Sequence, residues 1–171
     1  MRAWYPVALG GLLWNSGVLA ANLEVKVEIP RLNVAEYHRP YVAIWLERPD
    51  QSVAANLAVW YDIDLKNNEG TKWLKDMRQW WRRSGRTLQM PADGLSGATR
   101  PVGTHTLRFG SDQAPLAELA PGTYNLVVEA AREVGGRELL RVPVQWPPKA
   151  AQSAGVNGAH ELGAVAVQLQ P

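Results

Sequence analysis

Two apolar runs joined by a glycine pair make up the stretch YNLVVEAAREVGGRELLRVPVQW (residues 124–146). Both runs, 124–132 and 138–146, are rich in β-branched and aromatic residues, which favour strands. Gly135 and Gly136 lie between them, and a glycine pair is typical of the tight turn of a β-hairpin. The stretch therefore predicts two adjacent antiparallel strands, and it sets the fold class that the rest of the chain has to match.

Shorter runs on either side of this hairpin have the same strand character. Residues 23–29 alternate apolar side chains with Glu and Lys, which is the pattern of a half-buried strand. Further strands are predicted at 41–46, 58–65, 104–109 and 162–169, and a loop is predicted at 147–158. Seven or so strands joined by polar turns predict a mainly β fold, an immunoglobulin-like antiparallel β-sandwich.

The N-terminal residues have the composition of an export signal. Arg2 gives a short positive region, residues 3–14 are mostly apolar, and Ala20 and Ala21 supply the small residues of a cleavage site. A membrane anchor is the alternative, but it needs about 20 apolar residues without interruption. Pro6, the glycine pair at 10–11 and the polar residues at 15–16 interrupt this stretch. We therefore predict a signal peptide at 1–21, a single β-sandwich domain at 22–171 and a periplasmic location.

No cysteine occurs among the 171 residues, which excludes thiolate catalysis, iron–sulfur ligation and the common structural zinc sites. His38, His105 and His160 are too scattered for a local metal motif, so no metal site is predicted. Asp62 and Asp64 could share a proton or bind a cation, but water-facing positions are the simplest expectation. With 18 basic and 16 acidic residues the chain gives no reason to expect nucleic-acid binding. The sequence offers no convincing nucleophile or acid–base pair, so we do not expect an enzyme.

One segment has helical rather than strand periodicity. Its apolar residues recur at the spacing of one helix face, which predicts an amphipathic helix over about 72–84. They are Trp73, Leu74, Met77, Trp80 and Trp81. The other faces carry six basic residues against Asp76 alone: Lys72, Lys75, Arg78, Arg82, Arg83 and Arg86. We expect the apolar face to pack on the sandwich, with one or two tryptophan edges free to contact a ligand.

A long segment without strand or helix periodicity, residues 86–103, follows this helix. Loops of this length are uncommon inside a compact domain and are usually functional or disordered. This loop contains DGLSGATRP (93–101), in which Gly97 and Ala98 leave the backbone open around the Thr99 hydroxyl. A surface turn is the simpler alternative, because Gly, Ser and Asp are common turn residues.

The loop resembles the acceptor motif of proteins that carry covalent FMN, Asp-x-x-(Ser/Thr)-Gly-Ala-Thr. The matching residues are Asp93, Ser96, Gly97, Ala98 and Thr99. Proteins with this motif include the flavin-bearing subunits of sodium-pumping NADH:quinone oxidoreductases and of Rnf-type electron-transport complexes. The resemblance implies that a flavin transferase, using FAD and a magnesium ion, joins the FMN phosphate to the Thr99 hydroxyl.

Residues near the motif have expected roles toward such a cofactor. Asp93 is expected to orient the acceptor hydroxyl or to help hold the metal ion of the transferase. Arg100 follows the acceptor and is expected to offset the phosphate charge. The isoalloxazine ring is expected to stack on Trp80 or Trp81, or on the guanidinium of Arg82, Arg83 or Arg86.

The order of motifs along residues 23–147 also resembles an uncharacterised family of small periplasmic proteins. That family accompanies PepSY-type membrane electron-transfer proteins and flavin transferases. The matching segments are KWLKD (72–76), WWR (80–82), TRP (99–101) and PGTY (121–124). The resemblance implies an electron-transfer flavoprotein with these two partners. The alternative is an exported immunoglobulin-like binding or accessory module without a cofactor.

Overall fold

Strands with alternating apolar residues form two β-sheets. The computed structural model describes residues 20–171. Residues 1–19 of the predicted signal peptide at 1–21 lie outside the described residues. The strands are β1 Asn22–Ile29, β2 Tyr41–Glu47, β3 Val53–Tyr61, β4 Ser96–Ala98, β5 Gly103–Gly110, β6 Gly122–Ala131, β7 Arg137–Trp146, β8 Gln152–Asn157 and β9 Ala164–Gln170. The prediction of a mainly β sandwich is confirmed.

Strand pairing divides these strands between a four-stranded sheet, in the order β5-β1-β9-β8, and a five-stranded sheet, in the order β4-β3-β2-β6-β7. The predicted hairpin forms from β6 and β7, whose register runs from Gly122 opposite Trp146 to Ala131 opposite Arg137. β4 pairs with β3 in parallel. The other strand pairs of the two sheets are antiparallel, as predicted, and only this pair differs.

Apolar side chains fill two layers. The first lies between the sheets and includes Val25 of β1, Ile44 of β2 and Val128 of β6. The second lies on the outer face of the five-stranded sheet and includes Trp45 and Trp80. Side chains alternate between the two faces of a strand, so β2 is buried on both faces only because the helical segment covers the outer one.

The helical segment is not the single helix predicted over 72–84. 3₁₀ turns run over Lys66–Asp76, α1 spans Arg78–Arg83, and a further 3₁₀ turn covers Gly85–Thr87. The chain changes direction at Met77, whose φ of −77° and ψ of 73° lie outside the helical region. The predicted boundaries fail because this kink separates two short helical pieces.

The kink also changes which side chains face the sheet. Leu74 and Trp80 are buried as predicted, but Trp73 is 53% exposed because the helical periodicity does not continue through Met77. Gly85 allows the chain to pass over Trp80, since a Cβ at this position would lie 2.5 Å from the indole ring. The apolar stripe is therefore core at three positions and surface at Trp73, with Trp81 partly buried.

Two strands lie in segments predicted as loops. β4 falls within 86–103, and β8 falls within 147–158. β8 is an exposed edge strand of small and polar residues, so it shows no apolar alternation. β3 begins earlier than predicted and stops at Tyr61, because the N–H of Ile63 donates to the Tyr61 carbonyl at 2.8 Å and turns the chain.

A buried carboxylate holds α1 on the sheet. Glu129 of β6 is fully buried, and its two oxygens accept the backbone N–H groups of Gln79 at 3.0 Å and Trp80 at 2.7 Å. Arg137 of β7 donates to the same carboxylate at 2.8 Å. The first N–H groups of a helix have no partner within it, and a negative charge there faces the positive end of the helix dipole. Glu129 therefore joins α1 to the β6–β7 hairpin.

We expect Glu129→Gln to lower the free energy of unfolding by roughly 2–4 kcal/mol, because an amide cannot accept both N–H bonds and leaves Arg137 without its buried partner. Urea unfolding followed by tryptophan fluorescence measures the change. Glu118→Gln, at an exposed glutamate, is the control and should change the free energy by less than about 0.5 kcal/mol. Equal stability of the two variants would contradict the anchoring role of Glu129.

Candidate functional site

The acceptor motif ends on a short strand that the five-stranded sheet holds in place. β4 runs parallel to β3 with Ala98 opposite Tyr61. At the start of the β3–β4 pairing, the N–H of Val59 donates to the Leu95 carbonyl at 2.8 Å. At its end, the N–H of Thr99 donates to the Tyr61 carbonyl at 3.2 Å. Thr99 is therefore fixed at the end of an edge strand.

A tight turn leads into β4. The Ser96 hydroxyl oxygen accepts the N–H of Ala92 at 2.9 Å, and the N–H of Ser96 donates to the Ala92 carbonyl at 3.0 Å. Gly94 has a φ of +70°, a left-handed conformation that glycine adopts without a steric penalty. Asp93 is exposed in this turn. The first half of the motif thus builds the turn, and the second half builds the strand.

The side-chain partner of the acceptor hydroxyl is Asp62. Thr99 Oγ1 donates to Asp62 Oδ1 at 3.4 Å. Asp62 directly follows β3, so it lies where β3 and β4 end side by side. The sequence predicts that Asp93 orients the acceptor hydroxyl or helps hold the metal ion of the transferase, and that Asp62 faces water. The structure places Asp93 in the turn before β4. Asp62 is exposed, as predicted, and it also lies next to the Thr99 hydroxyl.

Thr99 lines a cleft of about 790 Å³, within the roughly 300–1,000 Å³ that small-molecule sites occupy. The cleft lies at one end of the five-stranded sheet, where neighbouring strands end in register. Tyr41 at the start of β2 is opposite Ala131 at the end of β6, and Ala131 is opposite Arg137 at the start of β7. The walls come from the segment before β2, the segment between β3 and α1, and the hairpin turn.

Both signs of charge face this cleft. The charged residues lining it are Arg39, Asp62, Asp76, Arg78, Arg132, Glu133 and Arg137. Arg137 is paired with Glu129 and Arg132 with Glu161. Among residues 20–171, Arg39 and Arg78 make no ion pair within 4.0 Å. These two guanidinium groups are therefore able to pair with an anionic group of a ligand.

Two buried polar atoms of the cleft residues have no hydrogen-bond partner within the described part of the chain. They are the Tyr41 hydroxyl and Arg132 Nη1. The Tyr41 hydroxyl lies beside Asp62, and burial together with the negative charges of Asp62 and Glu133 raises the pKa of Tyr41 to about 12, so the hydroxyl stays protonated. Unpartnered buried polar groups are uncommon, since each one costs free energy. Both atoms are closed off from solvent, so they belong to the packing beneath the cleft and not to its surface.

The hairpin wall is anchored by two carboxylates. Arg132 Nε donates to Glu161 Oε2 at 2.7 Å, and Glu161 Oε1 accepts the N–H of Gly136 at 2.7 Å. Glu138 accepts the backbone N–H groups of residues 159–162. Burial raises the pKa of Glu138, but these four donors outweigh burial and hold the pKa below its ordinary value of 4.5. The turn is therefore fixed to the loop before β9.

Val134 lies in this turn in a strained conformation. Its φ is +51° and its side chain is 73% exposed. The left-handed region costs an L-residue about 1–2 kcal/mol, and a β-branched residue is rarely found there. Strain of this kind concentrates at binding and catalytic sites. An exposed valine held in this conformation at the edge of a cleft is consistent with a functional role.

Three side chains predicted from the sequence to contact a ligand do not line the cleft. Trp80 is fully buried, and its indole N–H donates to Asn56 at 2.9 Å. Trp81 packs against the outer-face core. The Arg100 guanidinium lies over the ring of Trp60, 5.3 Å from the ring centroid. Their place next to Thr99 is taken by side chains that the sequence analysis did not select.

The sequence analysis did not assign Trp73, Tyr41 or Asp62 to this site, and all three line the cleft. A signal existed for Trp73, because the predicted helix carries it at the edge of its apolar face. For Asp62 and Tyr41 the signal is tertiary, since it depends on β2, β3 and β4 ending together. Three arginines were also expected as flavin contacts, but they are exposed and do not line the cleft. They are Arg82, Arg83 and Arg86.

The described residues show neither a metal cluster nor a membrane-spanning helix. No group of three or more His, Cys, Asp or Glu side chains within 20–171 is arranged to hold a metal ion. His38 lines the cleft, and its Nε2 lies 2.8 Å from Glu36 Oε1. No helix within the same residues is long and apolar enough to cross a membrane.

We expect Val134→Asn to raise the free energy of unfolding by roughly 0.5–1 kcal/mol, because Asn tolerates the left-handed region better than a β-branched residue. Thermal unfolding by circular dichroism measures the gain. Val102→Asn is the matched control, since Val102 is also exposed but has no left-handed backbone. A loss of stability in Val134→Asn, or an equal gain in both variants, would show that the turn is unstrained.

A family profile described as Predicted periplasmic protein (DUF2271) matches residues 22–164. The match begins where the predicted signal peptide ends and includes all of the residues that line the cleft. It supports the periplasmic part of the expectation. Comparison with curated proteins and with solved structures gives no match. Since the profile covers most of the chain, the protein belongs to the DUF2271 family of predicted periplasmic proteins.

Proposed function

We propose that the protein is a periplasmic electron carrier in which FMN is joined through its phosphate to Thr99. The position of the Thr99 hydroxyl supports this function most directly. Thr99 directly follows β4 and lines a cleft of about 790 Å³, together with aromatic and basic side chains. The motif from Asp93 to Thr99 points to the same hydroxyl from the sequence alone. Two independent features therefore support one acceptor residue.

Attachment requires a hydroxyl that a second enzyme can reach. Thr99 is partly exposed, and its neighbours Gly97 and Ala98 add little bulk. In the attachment step Thr99 Oγ1 attacks the FMN phosphorus of FAD, the new P–O bond forms, the bond to AMP breaks, and AMP leaves. The hydrogen bond to Asp62 directs the hydroxyl proton toward a carboxylate that can take it up. A flavin transferase is the partner in this step.

The cleft residues suit the parts of FMN. Arg39 and Arg78 are able to pair with the phosphate charge. Tyr37 and Trp73 offer aromatic surface for a planar ring. The flavin supplies the electron-transfer chemistry, while the protein supplies position and electrostatics. No side chain of this chain has to act as the redox group.

Electron exchange with a PepSY-type membrane protein is the second part of the proposal. The basic residues of the helical segment support it, because all of them are exposed. They are Lys72, Lys75, Arg78, Arg82, Arg83 and Arg86. Opposite charge on a partner steers association and fixes its orientation. A partner with an acidic surface that docks on this segment comes close to the cleft, since Arg78 belongs to both.

We expect the protein co-expressed with a flavin transferase to gain the mass of FMN minus water, and Thr99→Ala to abolish the gain, because within residues 20–171 no other serine or threonine lines the cleft. Intact-mass spectrometry measures the adduct, and in-gel flavin fluorescence after denaturation shows that it is covalent. Thr104→Ala, at an exposed hydroxyl of β5 outside the motif, is the control and should keep the full adduct.

Two results would contradict the proposal. One is wild-type protein that stays colourless and unmodified although a known substrate of the same transferase is modified in the same cells. That result would favour a binding or accessory module without a cofactor. The other is an adduct that persists in Thr99→Ala, which would place the attachment on another residue.

A further inference from the structure

Exposed apolar side chains converge on the cleft. Within residues 20–171 six large hydrophobic side chains are exposed, and four of them line the cleft. These four form what we call the apolar rim: Tyr37, Leu65, Trp73 and Val134. Exposed apolar patches bordered by polar residues mark places where a ligand or partner binds. The apolar rim is therefore a candidate binding surface.

The fold holds the apolar rim in place at a cost. Val134 has a φ of +51°, a strained backbone for a β-branched residue. Asn67 and Asn68 both adopt left-handed conformations between Leu65 and Trp73, with φ values of 55°. The kink at Met77 then leaves Trp73 exposed while its neighbour Leu74 is buried. Asparagine tolerates the left-handed region, so the strain lies at Val134, and strain that keeps an apolar group exposed is consistent with binding rather than with folding.

The cleft also has a side rich in donors. Arg39 and Arg78 line it without ion-pair partners among the described residues. FMN has the same division, because the dimethylbenzene part of its planar isoalloxazine ring is apolar and its phosphate is anionic. A planar molecule of this kind can satisfy both sides of the cleft at once.

We propose that the apolar rim seats the isoalloxazine ring, with Trp73 as the stacking partner. This inference rests on the proposed attachment of FMN to Thr99 and adds where the ring lies. It replaces Trp80 and Trp81 as the expected flavin neighbours, because neither side chain lines the cleft. The phosphate then stays near Thr99, while the ring extends along the segment between β3 and α1.

Flavin emission tests this placement. Indole quenches an excited flavin by donating an electron at stacking distance, whereas a phenyl ring does not. Trp73→Phe and Trp81→Phe are matched variants, and each is co-expressed with the flavin transferase. Intact mass confirms the adduct in each sample before emission per flavin is compared. We expect Trp73→Phe to emit severalfold more strongly than wild type and Trp81→Phe to match wild type.

A second variant tests the apolar rim without changing an indole. Val134→Asn carrying the adduct should have lower flavin emission anisotropy than wild type, because the ring loses apolar contact and moves more freely. Val102→Asn, whose side chain does not line the cleft, should keep the wild-type anisotropy.

The outcomes separate this inference from the function on which it rests. A full adduct with unchanged emission in Trp73→Phe would overturn the placement of the ring and leave the attachment to Thr99 intact. Stronger emission in Trp81→Phe than in Trp73→Phe would also overturn it. Absence of the adduct from wild-type protein would overturn the proposed function, and the placement with it.

Discussion

The buried carboxylate of Glu129 is the contact on which the cleft depends. α1 has six residues, too few to be stable without tertiary contacts. Glu129 supplies acceptors for its first turn from β6 and accepts a guanidinium from Arg137 of β7 at the same time. One carboxylate thus joins the wall that contains Arg78 to the hairpin wall, and Trp80 covers the sheet beneath them.

Local sequence determines much of this fold, and tertiary contacts determine the site. Alternation and the glycine pair predict the hairpin of β6 and β7, since both are short-range signals. β4 leaves no such signal because it is three residues long and depends on β3 for its hydrogen bonds. The exposed position of Trp73 depends on the kink at Met77, which helical periodicity does not contain.

The candidate site follows the same rule. Thr99 can be selected from the sequence because the motif that contains it is local. Asp62 cannot be, because it becomes a neighbour of Thr99 only when β3 and β4 pair in parallel. Asp93 is close in sequence but lies in the turn before β4. Residues near the acceptor in the sequence therefore build the turn and strand, while residues distant in the sequence build the cleft.

Exposed apolar side chains, arginines unpaired within residues 20–171 and the strained Val134 all lie at the cleft, and none of these features stabilises the fold. The proposed redox role requires a cofactor, and a threonine at the end of a strand can hold FMN. Hydrogen–deuterium exchange of wild-type protein made with and without the flavin transferase tests this account most directly. The account predicts slower exchange at residues 65–73 and 131–137 in the FMN-bearing protein, with β8 unchanged. Full adduct mass without slower exchange in those two segments would contradict it.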